Sequence, residues 1–245
     1  MTLAIRGDRT SCLSLQLGPG TWLLAVARGF GQIGGAPTET ALLSRLRLEC
    51  QRRMRSPRFR RAIDRPQAAA TAMLAIMGRV NSALYSCTAS NDDYVTAAAS
   101  VTAVIVVQRY AYVIHAGATA AYLVRDGEII PLCADDGLDD PQIPVLARAF
   151  ATAPALDVSV SNARLAPGDA IVLIGRRVSS ELQLRALLQR LDESEPAEHV
   201  LVARFEEDGA LGEPRGGARR RVRFGPLALR ILALIGFLAA AVLAH

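Results

Sequence analysis

Closely spaced aspartates are the residues of this chain that point most directly to a chemistry. Three pairs lie in two polar stretches, and they are Asp92, Asp93, Asp135, Asp136, Asp139 and Asp140. Carboxylate oxygens are the ligands that hard divalent cations prefer, so neighbouring aspartates could hold magnesium or manganese. Paired acids in glycine-containing loops are more often solvated surface residues. The pattern therefore favours solvated loops, with metal binding as the alternative.

Arginines form a second cluster. Seven of them lie between positions 52 and 65, and they are Arg52, Arg53, Arg55, Arg58, Arg60, Arg61 and Arg65. Guanidinium groups pair with phosphate or carboxylate, so the cluster could contact an acidic partner. Phe59 is the one aromatic residue among them, whereas surfaces for single-stranded nucleic acid combine basic residues with several aromatic ones. The cluster therefore predicts a solvated helix end and argues against a nucleic-acid partner.

The histidines and cysteines do not form a ligand pattern. His115 and His199 lie in or beside apolar stretches, where a structural imidazole is more common than a catalytic base or a metal ligand. The four cysteines are far apart in sequence and include no C-x-x-C pair, which is typical of reduced core residues. We therefore assign none of these residues a catalytic role.

The positive charge is concentrated near the C-terminus. Six arginines and no acidic residue follow position 213, whereas residues 1–213 hold 22 basic and 23 acidic residues. Residues 224–245 are almost wholly apolar, and 22 residues can cross a bilayer if Arg230 extends back to the surface. The sequence predicts a transmembrane helix at 224–245, a charged glycine- and arginine-rich linker at 206–223, and a globular domain at 1–205.

The N-terminal residues contain no apolar stretch long enough for a signal peptide. We therefore expect a single-pass membrane protein, tail-anchored, with its N-terminal domain in the cytoplasm.

The globular part predicts helices and hairpin strands. Residues 21–27 predict a buried strand, and apolar residues at helical spacing predict helices at 38–54 and from about position 66. Apolar runs from position 100 onward predict strands, with a hairpin turn at Asp126 and Gly127. We also predict a short helix near 145–151, a helix that begins with a capping box near Ser180, and a last strand at 200–205.

Three stretches resemble, in the same order, motifs of the PPM (type 2C) metal-dependent serine/threonine protein phosphatases. LLAVARGFGQIGG resembles the family's VADGMGGxxGG, YVIHAGATAAYLVRDGEIIPL resembles VANVGDSRAYLxRDGxxxxLT, and LAPGDAIVLIGRRV resembles LxxGDxLLLCSDGL. The resemblance covers roughly residues 5–206. It implies an α+β fold, a four-layer α-β-β-α sandwich of two antiparallel sheets flanked by helices.

The resemblance also implies a chemistry. Members of that family use aspartates to hold two manganese or magnesium ions, which activate a water for attack on phosphoserine or phosphothreonine. The residues of this chain at the corresponding positions are Ser11, Arg28, Ala118, Arg176 and Ala197. None of them is a carboxylate, so the resemblance implies a degenerate member without a metal cofactor and without catalytic residues.

Arginines occupy positions where the family binds metal or phosphate. Arg6 matches a phosphate-binding arginine of the family, and Arg28 and Arg176 match metal positions. Three converging guanidinium groups would form a receptor for a phosphate-like anion. The alternative is that these arginines pair with nearby acids such as Asp8, or extend into solvent.

Three functions follow from these observations. The leading hypothesis is a membrane-anchored pseudophosphatase, a binding or regulatory module for a protein partner, including a phosphorylated one, in serine/threonine phosphorylation signalling. The second is an active phosphatase with non-standard metal ligands. The third is a structural membrane protein whose arginine cluster at 52–65 contacts a partner.

Overall fold

The computed structural model describes residues 2–7, 11–89, 97–133, 148–175, 183, 185, 186 and 199–206, with the backbone alone for 2–7 and 206. The first sheet has the order β1 (Thr2–Gly7), β12 (Val200–Glu206), β11 (Ala170–Ile174), β8 (Ala120–Arg125), β9 (Glu128–Pro131). The second sheet has the order β10 (Ser159–Arg164), β7 (Tyr110–Ala116), β6 (Ala98–Val107), β3 (Thr21–Phe30), β2 (Cys12–Gly18). The remaining elements are a small hairpin of β4 (Gln32–Ile33) and β5 (Ala36–Pro37), and the helices α1 (Thr38–Met54), α2 (Pro57–Ile63) and α3 (Pro66–Ala89).

The second sheet is buried on both faces. Alternate residues of its central strands, such as Leu24 and Val104, pack against the first sheet. The residues between them, such as Leu23 and Ile105, pack against the helices. Because side chains alternate along a strand, two covered faces require an uninterrupted apolar sequence. This is why residues 22–27 of β3 and 103–107 of β6 are continuous runs of apolar residues.

Helices α1 and α3 bury the apolar stripes that predict them. Leu42 and Leu46 on α1, and Met73 and Met77 on α3, are at most 1% exposed. Residues four positions apart share one face of a helix, so each stripe covers the second sheet. Between them, α2 starts with Pro57 and buries Phe59 and Ile63. The predicted helices at 38–54 and from position 66 are confirmed.

The outer face of the first sheet is apolar as well. Val172, Ile174 and Val200 are at most 2% exposed. Residues 183, 185 and 186 are helical, and Arg185 donates a hydrogen bond to the carbonyl of Gly127 at 3.4 Å. The α+β architecture with antiparallel sheets is confirmed, whereas most of the predicted helix after position 180 lies outside the described residues. The predicted transmembrane segment 224–245 lies outside them too, and no helix within the described part is long and apolar enough to cross a membrane.

The two ends of the sandwich are distinct, and we name them by one residue each. At the Arg28 end, β3 ends, β6 begins at a residue paired with Phe30, and the chain crosses from β7 in the second sheet to β8 in the first. At the Glu206 end, β12 ends, and the turns from β2 to β3 and from β6 to β7 lie next to each other, since Gln108 N donates to the carbonyl of Gly20. Helix α1 starts at the Arg28 end, where Thr38 Oγ1 donates to the carbonyl of Phe30.

The predicted helix near 145–151 is wrong over the residues described, which begin at 148. Phe150 forms an antiparallel bridge with Ala99 of β6 and is fully buried. Ala151 then takes a positive φ of 67°, and its N–H donates to Asn81 Oδ1 at 2.9 Å. The strand partner Ala99 and the acceptor Asn81 on α3 thus hold this segment in a non-helical conformation. Local helix propensity does not include such long-range contacts.

Asp169 connects three segments at the Glu206 end. Its Oδ1 accepts from Arg125 Nε at 2.9 Å, and its Oδ2 accepts from Arg125 Nη2 and from Ala166 N, both at 2.7 Å. Its carbonyl accepts from Phe205 N at 2.9 Å. Burial raises the pKa of this carboxyl, but the hydrogen bonds from Arg125 and Ala166 outweigh burial and bring the pKa below its ordinary value.

Replacing Asp169 by alanine should lower the free energy of unfolding by about 2 kcal/mol at pH 7, since hydrogen bonds to a charged group contribute about 1.5–3 kcal/mol and Arg125 stays partly hydrated. A carboxyl with a depressed folded-state pKa stabilises above its unfolded pKa of about 3.9 and loses this contribution as the pH falls through the folded pKa. Urea unfolding across this range should therefore show the difference between wild type and variant shrinking in acid. The exposed Asp157→Ala control should change the free energy by less than about 0.5 kcal/mol, and an equal loss for Asp169→Ala at every pH would contradict the ionic explanation.

Candidate functional site

Arg28 lies at the rim of the cleft between the two sheets. In the ladder between β3 and β6, Val26 pairs with Thr102, and Arg28 pairs with Ser100. Val26 belongs to the core between the sheets and is fully buried, whereas Arg28 is exposed. Alternation along the strand puts Arg28 on the same face as Val26, two residues further out. The guanidinium therefore belongs to the opening of the intersheet layer.

Hydroxyl groups and an imidazole lie below this rim. Thr102 Oγ1 is 2.9 Å from His115 Nδ1 and 2.7 Å from Thr119 Oγ1. All three residues are at most 2% exposed. The Thr102 hydroxyl has one proton, so it donates to one of these partners and accepts from the other. The cluster joins β6, β7 and the loop before β8 through side-chain hydrogen bonds, and a structural role for His115 stays a prediction.

The loop between β7 and β8 is packed directly on Ser100. The Ala118 N–H donates to Ser100 Oγ at 3.0 Å. Gly117 has a φ of +96°, and a Cβ at this position would lie 2.6 Å from Ser100 Cβ and 3.0 Å from Ser100 Cα. A side chain here is excluded by the backbone conformation and by the neighbouring strand together. Glycine at 117 thus lets this loop close over the hydroxyl cluster.

The end of β11 and the start of β12 also lie at the Arg28 end. Gly175 N donates to the carbonyl of His199 at 2.7 Å, and a Cβ on Gly175 would lie 2.7 Å from His199 Cβ and 3.2 Å from Val26 Cγ2. Gly175 therefore lies against β3, two residues from Arg28 in the intersheet row. Arg176 follows Gly175 directly in the sequence but lies outside the described residues.

Three of the five predicted degenerate metal positions are brought to the Arg28 end. Ser11 is buried, and its carbonyl accepts from Ala27 N at 3.0 Å, next to Arg28. Ala118 belongs to the loop packed on Ser100. Arg176 and Ala197 lie outside the described residues, as do all six candidate aspartates.

Arg6 is described by its backbone alone. It pairs with Val202 of β12, one residue before the last pair of this ladder at the Arg28 end. Val202 belongs to the outer face of the first sheet rather than to the intersheet layer. The convergence of Arg6, Arg28 and Arg176 stays a prediction.

The side chains described at this end do not fit a pair of hard divalent cations. They supply hydroxyls, imidazoles, a guanidinium and separate carboxylates such as that of Glu39, which lies beside Gly29 at the start of α1. Magnesium and manganese require several carboxylate oxygens together. In the part of the chain that the structure describes, no three His, Cys, Asp or Glu side chains come together as a metal site would require.

The hydroxyl cluster is the feature that sequence reasoning missed. Its signal is the alternation of Ser100 and Thr102 with apolar residues in an otherwise apolar strand. Such polar residues predict a face that is polar at one end of the strand. Their partners on β7 and its following loop could not be read from the strand itself.

Gly117→Ala should lower the free energy of unfolding by about 3 kcal/mol, because it combines a strained positive φ with overpacking against Ser100. Gly168→Ala is the matched control, since Gly168 has a φ of +90° but nothing within 4 Å of an added Cβ. It should cost about 1 kcal/mol from backbone strain alone. Chemical denaturation measures both variants, and equal losses would show that contact with Ser100 contributes nothing.

Comparison with known proteins identifies the fold. No model of a known protein family and no curated protein sequence matches this chain. Among solved structures, the serine/threonine phosphatase of S. agalactiae is 16% identical, with a TM-score of 0.62 over 84% of this chain and 100% of that one. The Mycobacterium tuberculosis phosphatase PstP/Ppp is 20% identical, with a TM-score of 0.60 over 84% and 99% of the two chains.

A third structure contains metal. The catalytic domain of PstP in complex with two manganese ions is 20% identical to this chain, with a TM-score of 0.55 over 82% of this chain and 96% of that domain. The resemblance seen in the sequence is thus confirmed at the level of the fold. This chain has the fold of the PPM-type serine/threonine phosphatases.

Proposed function

We propose that this protein is a membrane-attached pseudophosphatase, a domain with the PPM phosphatase fold that binds a partner in serine/threonine phosphorylation signalling and does not hydrolyse the phosphoester. The observation that carries the proposal is the exposed guanidinium of Arg28 at the mouth of the intersheet cleft, directly above the neutral hydroxyl cluster. A fixed positive charge stands there in place of the carboxylate on which metal-dependent hydrolysis relies.

An arginine at position 28 does more than remove one metal-binding carboxylate, because its positive charge also acts on any cation nearby. Like charges a few ångströms apart repel strongly where water is partly excluded. Val26 and Thr102, immediately below the rim, are fully buried, so the guanidinium borders a dry layer. Arg28 should therefore oppose a divalent cation at this position, and Arg176 would add to the effect.

The same charge would attract an anion. Gly175 lies against Val26, close to the rim that presents Arg28, and Arg176 is the next residue in the sequence. Two guanidinium groups offer paired N–H donors that match the oxygens of a phosphate. A phosphorylated side chain of a protein partner is therefore the ligand we assign to this rim, held without cleavage.

One observation favours an active enzyme as the second candidate. The described residues that flank the two acidic stretches lie at the Arg28 end. Thr88, next to the first stretch, donates to the carbonyl of Ala151, and Ala97 precedes the pair of Ala98 with Phe30. Cys133, before the second stretch, accepts from Ala121 N. Carboxylates from these loops could supply relocated ligands, and metal titration separates the two candidates.

Membrane attachment is part of the same proposal. It is supported by the apolar segment 224–245 and by the six arginines that follow position 213. Cationic flanks on an apolar segment favour retention of that flank on the cytoplasmic side. The domain would then meet its partner at the cytoplasmic face of the membrane.

The purified protein should bind manganese no more tightly than millimolar and should release no phosphate from phosphoserine or phosphothreonine peptides above background, because the described residues bring no three His, Cys, Asp or Glu side chains together as a metal site would require. Calorimetric titration with manganese and a phosphate-release assay on the same sample measure both properties. A variant with Asp135, Asp136, Asp139 and Asp140 replaced by asparagine is the control for relocated ligands. Metal-dependent turnover that this variant abolishes would establish the active enzyme.

Inorganic phosphate and a phosphothreonine peptide should bind saturably, and Arg28→Ala with Arg176→Ala should weaken binding at least about tenfold, since each charge-assisted hydrogen bond contributes about 1.5–3 kcal/mol. The matched control is Arg45→Ala with Arg79→Ala, which removes two exposed arginines from the helical layer. Equal affinities of the two double variants would remove the receptor and leave a partner bound elsewhere on the surface.

A further inference from the structure

The arginine cluster of the sequence lies at the Glu206 end of the sandwich. Helix α2 is fixed there, because the carbonyl of Ile63 accepts from Thr21 Oγ1 and the carbonyl of Asp64 accepts from Gln108 Nε2. Thr21 and Gln108 belong to the two strand turns at this end. The arginines of α2 are thus held opposite to the rim that presents Arg28.

The surface formed there is strongly basic. We call it the basic end surface, and it consists of Arg58, Arg60, Arg61, Arg65, Arg109 and Arg164, all of which are exposed. Arg109 is joined to the end of β10, since its carbonyl accepts from Leu165 N, directly after that strand, at 2.7 Å. Asp64 is the exposed acid between the arginines, and Asp126 and Glu128 lie at the corner of the other sheet. Tyr110, 38% exposed, adds an aromatic ring at the same turn.

The chain leaves the domain at this same end. Phe205 N donates to the carbonyl of Asp169, and Gly168 N donates to the carbonyl of Phe205, so the end of β12 lies beside the loop before β11. Seventeen residues separate Glu206 from Phe224, and even fully extended they reach at most about 60 Å. An anchored segment 224–245 would therefore hold the exit of the chain, and the basic end surface beside it, within about 60 Å of the bilayer.

We propose that the basic end surface docks the domain on an anionic membrane surface, with phosphate-bearing lipid headgroups as its ligand. This inference rests on the membrane attachment in the proposed function. Arginine pairs with lipid phosphate, and a tyrosine at the edge of the patch suits the polar boundary of a bilayer. The cluster alone would also suit an acidic protein, but its position at the exit of the tail favours the membrane.

Docking in this way orients the candidate site. The ten residues of β3 span about 30 Å between the two ends, at roughly 3.3 Å per residue. With the Glu206 end on the lipid, the Arg28 end faces away from it. The rim then stays open to a protein partner instead of being covered by the membrane.

The experiment uses the full chain in lipid nanodiscs. Hydrogen exchange of α2 and of the turn between β6 and β7 is compared in discs of phosphatidylcholine alone and in discs that also contain phosphatidylglycerol. Exchange should slow in the anionic discs alone, and the slowing should disappear at high salt, because surface charge interactions are screened. Each arginine at an anionic surface contributes roughly fivefold, so Arg60→Gln with Arg61→Gln should reduce the docked-to-free ratio by about 25-fold.

The control variant is Arg45→Gln with Arg79→Gln, which replaces two exposed arginines in the middle of α1 and of α3. It should retain the lipid-dependent protection. Equal exchange in the two kinds of disc would overturn the proposal, and protection by polyglutamate in neutral discs would then assign the surface to an acidic protein. Carbonate extraction reports on the anchor separately. If extraction releases the full chain, the attachment fails, and flotation of the same protein with phosphatidylglycerol vesicles still measures docking.

Discussion

The pairing of β3 with β6 is the interaction on which the other features of this domain depend. The two strands are paired without interruption over ten residues, from Thr21 opposite Val107 to Phe30 opposite Ala98. Both faces of this ladder are covered, by the helices on one side and by the first sheet on the other. Such a ladder cannot slip by one residue, since a slip would exchange the two faces of every side chain. Its register therefore fixes which residues open into the intersheet layer.

That register explains how a charged residue can stand at the opening of the intersheet layer without loss of the fold. On the face of β3 that lines the intersheet layer, Val26 is buried and Arg28, two residues further along, is exposed. Ser100, the cross-strand neighbour of Arg28, accepts a hydrogen bond from the N–H of Ala118 through its Oγ. The buried Thr102 satisfies its hydroxyl through His115 and Thr119. Buried polar groups are costly only when they lack partners. The hydroxyl of Thr102 is thus satisfied by side chains of β7 and of the loop before β8, beneath the exposed charge of Arg28.

Much of the fold could be predicted because its signals are local or repetitive. The apolar stripes of α1 and α3, the Asp-Gly turn after β8 and the apolar run of β11 each follow from spacing within a few residues. The bridge between Phe150 and Ala99 joins residues 51 positions apart, and no nearby pattern indicates it. The edge strand β2 was equally difficult, because a half-exposed strand lacks a continuous apolar signal.

The candidate site was harder to predict than the fold for a related reason. Sequence comparison located Ser11, Arg28 and Ala118 at one end, but it could not show that Thr119 and Thr102 form a buried hydrogen-bonded pair. Nor could it show that α2 lies at the opposite end, which follows from the contacts of Ile63 and Asp64 with the strand turns. The two proposed contacts, at Arg28 and at α2, thus lie at opposite ends of one ladder. Since β3 and β6 join both ends, a domain that rests on lipid through α2 would hold the rim of Arg28 at a fixed distance from it.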